Sequence, residues 1–235
     1  MLILLFYSIL CNKTTKAMQS YQNKSEAYFT NARKDIFSML PEKVTTALEI
    51  GCGNGATLRM LQQSGRIERS IGIELHAAMA REAGKYLDEV FLGEAEEQID
   101  KVQNGQIDLM LCLDVLEHME DPWAFLAKAA PKIKKGGNLI ASIPNMRTAV
   151  VISKLLFRGK FEYHNGAGIM DRTHLRYFTR SSALALMNQK PFEVEKVMPT
   201  PNAAGSKSQV VNFLTLGLMR AFFTEQYLIR SVKVE

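Results

Sequence analysis

Two kinds of apolar pattern alternate along the middle of the chain. Short, near-continuous apolar runs stand at Thr46–Ile50, Ser70–Glu74, Val90–Leu92, Ile107–Leu113 and Asn138–Ile143. Between them, apolar residues recur at helical spacing over Gly55–Gln63, His76–Leu87 and Asp121–Ile133. Runs with no polar alternation suit strands covered on both faces, and the helical stretches supply the cover. Strand and helix in strict succession predict βαβ repetition, and hence an α/β chain with a doubly wound parallel sheet. Asp121 is placed to cap its helix with Pro122 at the first position, and Gly136-Gly137 ends the connection to the fifth strand. A helix over Tyr28–Leu40, closed by Pro41, precedes the sheet, and Tyr28 and Arg33 on it are candidates to reach a ligand.

The pattern changes after Pro144. Thr148–Phe157 reads as an apolar helix, Arg158–Ile169 as a glycine-punctuated loop, and Ser181–Asn188 as a helix capped by Thr179 or Ser181. Phe192–Val197 alternates as a strand, Asn202–Ser208 reads as a loop, Val211–Phe223 as a helix and Gln226–Val234 as a last strand. The organisation is an N-terminal extension over 1–24 and one domain over 25–235, with a lid inserted at about 148–180. A chain of 235 residues is long enough to bury the core this requires.

Composition changes the picture in three places. The cysteines Cys11, Cys52 and Cys112 are too scattered for a zinc or disulfide framework, which fits a reduced, cytoplasmic setting. Met1–Leu10 is apolar but shorter than the ~20 residues of a membrane span and lacks a signal peptide's layout. A membrane contact there is not favoured, and Met18 offers an alternative start. Charge is segregated: Arg81–Asp121 carries twelve acids and three bases, whereas Lys128–Arg180 carries eleven bases and two acids. The second segment suggests attraction of an anionic small-molecule acceptor. Nucleic acid is a weaker expectation, because no recognised RNA-binding module accompanies the bases.

The candidate chemistry begins at the end of the first strand. Gly51-Cys52-Gly53-Asn54-Gly55 is a glycine-dense turn into a helix, at the end of the sheet where such folds bind ligands. Glu74 ends the next strand, about where an acid takes a ribose diol. Together they point to an adenosine-bearing cofactor. The G-x-G-x-G spacing is one residue short of the dinucleotide pattern, and no Tyr is followed by Lys four residues on, which argues against an oxidoreductase. A second cluster, Asp114-Val115-Leu116-Glu117-His118, follows the fourth strand. Its acids and histidine suit a general base or a divalent ion. A third, Asp171-Arg172-Thr173-His174-Leu175-Arg176-Tyr177-Phe178-Thr179, leaves the lid after the fifth strand, so His174 is expected to fold back towards His118. Asn145 and Arg147 are expected to line the same cavity, with Phe157, Phe161 and Tyr163 as its walls.

Glu49-Ile50-Gly51-Cys52-Gly53-Asn54-Gly55 resembles motif I of the class I S-adenosylmethionine-dependent methyltransferases, and residues 28–198 resemble that family throughout. The resemblance implies a Rossmann-like seven-stranded sheet in the order 3-2-1-4-5-7-6 with the seventh strand antiparallel. It implies S-adenosylmethionine as cofactor, bound by Glu49, Gly51, Cys52, Gly53 and Gly55, with the three glycines close to its methionine part. Glu74 would hold the ribose hydroxyls, with Leu75 also cofactor-binding, Glu94 with Ala95 at the adenine, and Asp114 with Val115 at the methionine. The stretch Asp114–His118 is similar to the E-V-L-E-H of ubiquinone-biosynthesis O-methyltransferases and to the matching stretch of small-RNA 2′-O-methyltransferases. In both, acids and histidine serve a divalent ion, which makes Asp114, Glu117, His118 and His174 candidate ligands for an ion such as Mg²⁺ or Mn²⁺. Asp171–Thr179 is similar to a D-R-T-H-L-R-F-F-T signature of bacterial methyltransferases near polysaccharide or glycosyl-transfer genes. The implied activity is O-methylation of a small, glycan-linked or lipid-linked acceptor, with His118 and His174 as catalytic residues. RNA 2′-O-methylation, or cofactor binding without catalysis, is the alternative.

Overall fold

In the computed structural model, residues 31–166, 168–201, 215, 217 and 219–235 are described. The extension over 1–24, Met1–Leu10 within it, Tyr28, Cys11 and the expected loop at Asn202–Ser208 lie outside them. Seven strands form one sheet: β1 (Thr46–Ile50), β2 (Arg69–Glu74), β3 (Glu89–Leu92), β4 (Ile107–Leu113), β5 (Ile133–Pro144), β6 (Phe192–Pro201) and β7 (Thr224–Lys233). Their order is β3-β2-β1-β4-β5-β7-β6. The first five strands pair in parallel, and β7 runs antiparallel between β5 and β6. The helices are α1 (Ala56–Gln63), α2 (Ala77–Ala83), α3 (Ala95–Gln98), α4 (Pro122–Ala129), α5 (Ala149–Arg158) and α6 (Arg180–Met187).

Strand parity divides the core between the two faces of the sheet, since successive side chains point to opposite sides. Leu48, Ile50, Met110 and Cys112 pack with Phe125 and Leu126 of α4 and Ala183 and Leu186 of α6. Ala47, Leu109, Leu111 and Leu113 pack on the other face with Leu58 and Leu61 of α1 and with Ile36 and Met39. That second face is closed by a 3₁₀ helix at Lys34–Met39, the described remnant of the helix expected over Tyr28–Leu40.

Three boundaries differ from the sequence reading for local reasons. Gly136-Gly137 lies inside β5 rather than before it: Ile133 already pairs with Ile107, and the register then shifts by the next pair. Gly136 has φ +77°, a backbone conformation suited to the extra residue of a bulge. Of the helix expected over Val211–Phe223, the described residues show a 3₁₀ turn at Arg220–Phe223, and β7 begins at Thr224. The helix expected over His76–Leu87 is α2, which stops at Ala83. The caps hold as expected: the Asp121 side chain accepts from the Ala124 amide at 3.0 Å, and Thr179 and Ser182 form a reciprocal capping box on α6.

Candidate active site

The glycine loop is fastened to β2 through the backbone. The amides of Gly51 and Cys52 both donate to the carbonyl of Ile73, at 2.8 and 3.1 Å. Gly51 and Gly55 have φ +68° and +80°, and a Cβ on Gly55 would come within 3.0 Å of the Leu87 side chain. Glycine at 55 is therefore required by conformation and packing as well as by any ligand.

Two buried acids face this loop. Glu74 accepts from the Gly53 amide at 2.7 Å through one oxygen and from the His76 amide at 2.8 Å through the other. Burial raises its pKa, and those amides partly offset the rise. Glu49 is buried, and burial pushes its carboxyl up to about 8, against the opposing hydrogen bond from Thr57 and the charge of Arg33. Among the described residues its second oxygen has no hydrogen-bond partner. An orphaned buried oxygen beside a glycine loop fits a cationic or hydrogen-bonding group of a ligand. Glu94 stands at the start of α3, exposed, with Ala95 behind it and Leu75 half-buried at the end of β2. Burial, and then the neighbouring Glu96 and Glu97, raise the Glu94 carboxyl.

After β4 the chain turns through Asp114, whose φ of +55° is left-handed for a non-glycine residue. Such a backbone costs on the order of 1–3 kcal/mol and marks an over-determined position. The restraints are visible. The Asp114 carboxylate accepts from Arg33, from Ser142 and, at 2.7 Å, from Gln226. Arg33 is itself braced by Asp35 at 2.8 Å. Val115 packs against the core. Asp114 thus stands outside the metal-like cluster expected of it, because these donors occupy its carboxylate. Gln226 and Ser142 were not legible as partners, since nothing in a strand's sequence shows which residue it faces across the sheet.

The cluster that does form is Glu117, His118 and His174, whose potential ligand atoms lie within 4.8 Å of one another. The two imidazoles converge as expected, with ring centroids 4.8 Å apart, although 55 residues separate them. The path is built by main chain. The carbonyl of Glu117 accepts from the amides of Leu175 and Arg176 at 2.8 and 3.0 Å, which fastens the returning loop to the end of β4. Asp171, buried, accepts from the Thr173 amide and hydroxyl at 2.9 and 2.8 Å and shapes the turn into His174. His118 Nδ1 lies 2.9 Å from the Thr173 carbonyl, and His174 Nδ1 lies 3.0 Å from that of Ile169. A carbonyl only accepts, so each Nδ1 carries the proton and each Nε2 carries the lone pair. Two donors on one ion with bonds of ~2.1 Å are at most ~4.2 Å apart, so a metal would draw this cluster slightly tighter.

A cavity of about 450 Å³ opens over the cluster. Its lining includes Asp114, Glu117, His174, Val151, Lys154 and Phe161. Asn145 and Arg147 do not line it: Asn145 donates to the carbonyls of Ala221 and Thr224, and Arg147 stacks on Phe222 at 4.8 Å. Phe157 and Tyr163 are absent from the walls as well. Nor does the lining reproduce the basic balance of the sequence. Lys154 and Lys160 face it together with Asp114, Glu117, Glu162, Asp171 and Glu225, while Lys128 and Lys134 pair with Asp100 and Asp108 elsewhere.

Comparison with known proteins agrees with this architecture. The chain is 24% identical over 132 residues to the ubiquinone biosynthesis O-methyltransferase of Acinetobacter baylyi, covering 50% of this chain and 55% of that one. It is 26% identical over 192 residues to the Caulobacter vibrioides enzyme of the same name, covering 77% and 75%. The matched stretch thus spans about half the length of several curated relatives. A solved S-adenosylmethionine-dependent methyltransferase structure from Thermotoga maritima superposes with a TM-score of 0.59 at 20% identity, covering 97% of this chain and 98% of that one. Residues 21–197 match the family described as the methyltransferase domain. The chain belongs to that methyltransferase family, on the sheet of its class I S-adenosylmethionine-dependent members.

Proposed function

We propose that this chain transfers a methyl group from S-adenosylmethionine to a hydroxyl oxygen of a glycan-linked or lipid-linked acceptor seated in the cavity over His118 and His174. The observation that carries the reading is the convergence of Glu117, His118 and His174 beneath that cavity. The cofactor, when bound, supplies an electrophilic methyl on a sulfonium. The glycine loop with Glu49, Cys52, Glu74 and Leu75 holds it, with Glu94 and Ala95 at the adenine and Val115 beside the methionine part.

In-line displacement asks the protein mainly for positioning and for a proton acceptor. His174, which lines the cavity, answers the second need, with His118 beside it at 4.8 Å between ring centroids. The walls answer the first. Val151 and Phe161 offer apolar surface to the body of the acceptor, and the predominance of acids favours a neutral acceptor over the anionic one suggested by composition. Asp114, held by Arg33, Ser142 and Gln226, fixes the turn that carries Glu117 and His118.

Glu117, His118 and His174 also fit a divalent ion, which would acidify the acceptor hydroxyl. Two imidazoles with one carboxylate suit Mn²⁺, Fe²⁺ or Zn²⁺ better than Mg²⁺, which prefers oxygen ligands. The test is S-adenosylhomocysteine release across a panel of hydroxyl-bearing glycan and lipid-linked acceptors, with and without chelator. Loss of turnover in EDTA and rescue by Mn²⁺ supports the metal arrangement. Chelator-insensitive turnover that falls as pH is lowered supports histidine as the base. Full activity of both His118→Ala and His174→Ala refutes either role.

A further inference from the structure

Between α5 and α6 the lid is pinned by its own main chain. The His164 amide donates to the Met170 carbonyl at 3.0 Å, and the His164 carbonyl accepts from the Arg172 amide at 3.1 Å. That ladder carries Phe161 and Tyr163, which precede it, to Tyr177, which follows it. The Phe161 ring meets Tyr163 at 5.6 Å and Tyr177 at 5.9 Å between centroids, at 86° and 71° to their planes. Tyr163 and Tyr177 close the triangle at 6.1 Å. Steep edge-to-face contacts of this kind fix ring orientation through the aromatic quadrupole. Phe161 is thus held by its neighbours, yet it is 38% exposed and lines the cavity. A fully buried trio would be core packing, whereas a held and accessible ring on a cavity wall is a binding surface. Tyr177 in turn lies 6.5 Å from the His174 ring, so Phe161 stands two ring contacts from the histidine pair.

The rest of the wall identifies the occupant. The cavity sets this ring among charged groups: Glu117, Glu225 and the pair of Lys160 with Glu162 at 3.2 Å. An alkyl chain filling the space would strip water from these groups and return no hydrogen bond. A quaternary ammonium would need a gap between the rings, whereas the three are already in contact with one another. A pyranose meets both demands. Its axial C–H bonds form an apolar, weakly positive face that suits the negative face of a benzene ring. Its hydroxyls replace the water they displace at carboxylates and ammonium groups.

We propose that Phe161, set by Tyr163 and Tyr177, is the stacking platform for a neutral pyranose ring of the acceptor, so that the end entering the cavity is a sugar. The proposal rests on the proposed function in taking this cavity as the acceptor's seat, and its test reads binding as well as turnover. The experiment is saturation-transfer NMR of the full chain with S-adenosylhomocysteine bound. The probes are the methyl pyranosides of glucose, galactose, mannose and N-acetylglucosamine, with 1-octanol as the alkyl probe. At least one pyranoside is expected to take up saturation from the protein's aromatic protons, concentrated on the C–H bonds of one ring face. Phe161→Ala should weaken that binding roughly three- to tenfold. Phe161→Leu, which keeps apolar bulk without the ring, should do the same, and Phe161→Trp should retain binding. Tyr177→Ala should weaken it and Tyr177→Phe should not, since the ring and not the hydroxyl sets Phe161. Calorimetry should give all these variants the wild-type affinity for S-adenosylhomocysteine, the sign of an intact fold. Pyranoside saturation undiminished in Phe161→Leu overturns the proposal, as does saturation confined to 1-octanol or absent from every probe. Release of S-adenosylhomocysteine from S-adenosylmethionine with the same pyranosides separates the platform from the reading beneath it. Stacking without release keeps the platform and removes hydroxyl methylation, whereas release whose KM Phe161→Leu leaves unchanged keeps the methylation and overturns the platform.

Discussion

Replacing Glu49 by Gln is expected to remove most of the decline in stability that the protein shows between weakly acidic and weakly alkaline pH. The folded chain holds this carboxyl at about 8, against an ordinary value of 4.5, because burial disfavours the charged form. Between those values the native state keeps a proton that the unfolded chain has lost, so stability falls as pH rises. The contribution is intact below 4.5 and is lost as pH climbs through about 8. Each unit is about 1.4 kcal/mol, which sets a ceiling on the order of 5 kcal/mol over the window. For a domain of this size 1 kcal/mol moves Tm by about 2–4 °C, so the wild type should lose roughly 3–6 °C per pH unit relative to the variant. The assay is thermal unfolding of both proteins across that range. Glu74, Glu94 and the buried cysteines titrate in both, so the difference between the curves isolates Glu49, including its repulsion by Glu74. A glutamine amide adds a constant offset and no slope. Parallel curves would refute the reasoning, because they would mean that Glu49 is already ionised in the fold.

Glu74→Ala removes the acceptor of the Gly53 and His76 amides as well as a carboxylate proposed to meet a ribose. Calorimetry should show S-adenosylhomocysteine binding at least tenfold weaker, since hydrogen bonds to charged groups are worth roughly 1.5–3 kcal/mol each; an unchanged Kd would remove Glu74 from the site. Thr179→Ala breaks the capping box of α6 and should cost about 1 kcal/mol, read as a Tm lower by roughly 2–4 °C with cofactor binding unaltered.

The parts of the fold that were legible are those governed by near neighbours in sequence. Ile107–Leu113 announced β4 because six of its seven positions are apolar, and Asp121-Pro122 announced α4 because capping is local. Gly136-Gly137 misled for the converse reason: glycine marks a departure from regular backbone, and a bulge inside β5 and a turn before it leave the same trace. At the site, His118 and His174 were expected to meet on topology alone, from neighbouring strands. The strap of Arg33, Ser142 and Gln226 on Asp114 was beyond such reasoning, because each donor comes from a different element and none belongs to a local pattern. Charge was the least transferable signal. A basic segment says where its cations are along the chain, and the fold sends several to partners such as Asp100 and Asp108, leaving a cavity dominated by acids.

The way the returning loop is moored has a consequence for how such enzymes diversify. Leu175 and Arg176 reach the Glu117 carbonyl, and Thr173 and Ile169 orient the histidines, entirely through peptide groups. Every non-proline residue carries those groups. The Ile169 side chain, which lines the cavity, is therefore released from holding an imidazole in place, and mutation there can reshape the cavity without dismantling the histidine pair. Selection on a new acceptor could proceed by single substitutions in this loop, each leaving an enzyme that still turns over, so that lineages sharing one methyl-transfer apparatus drift apart in what they methylate.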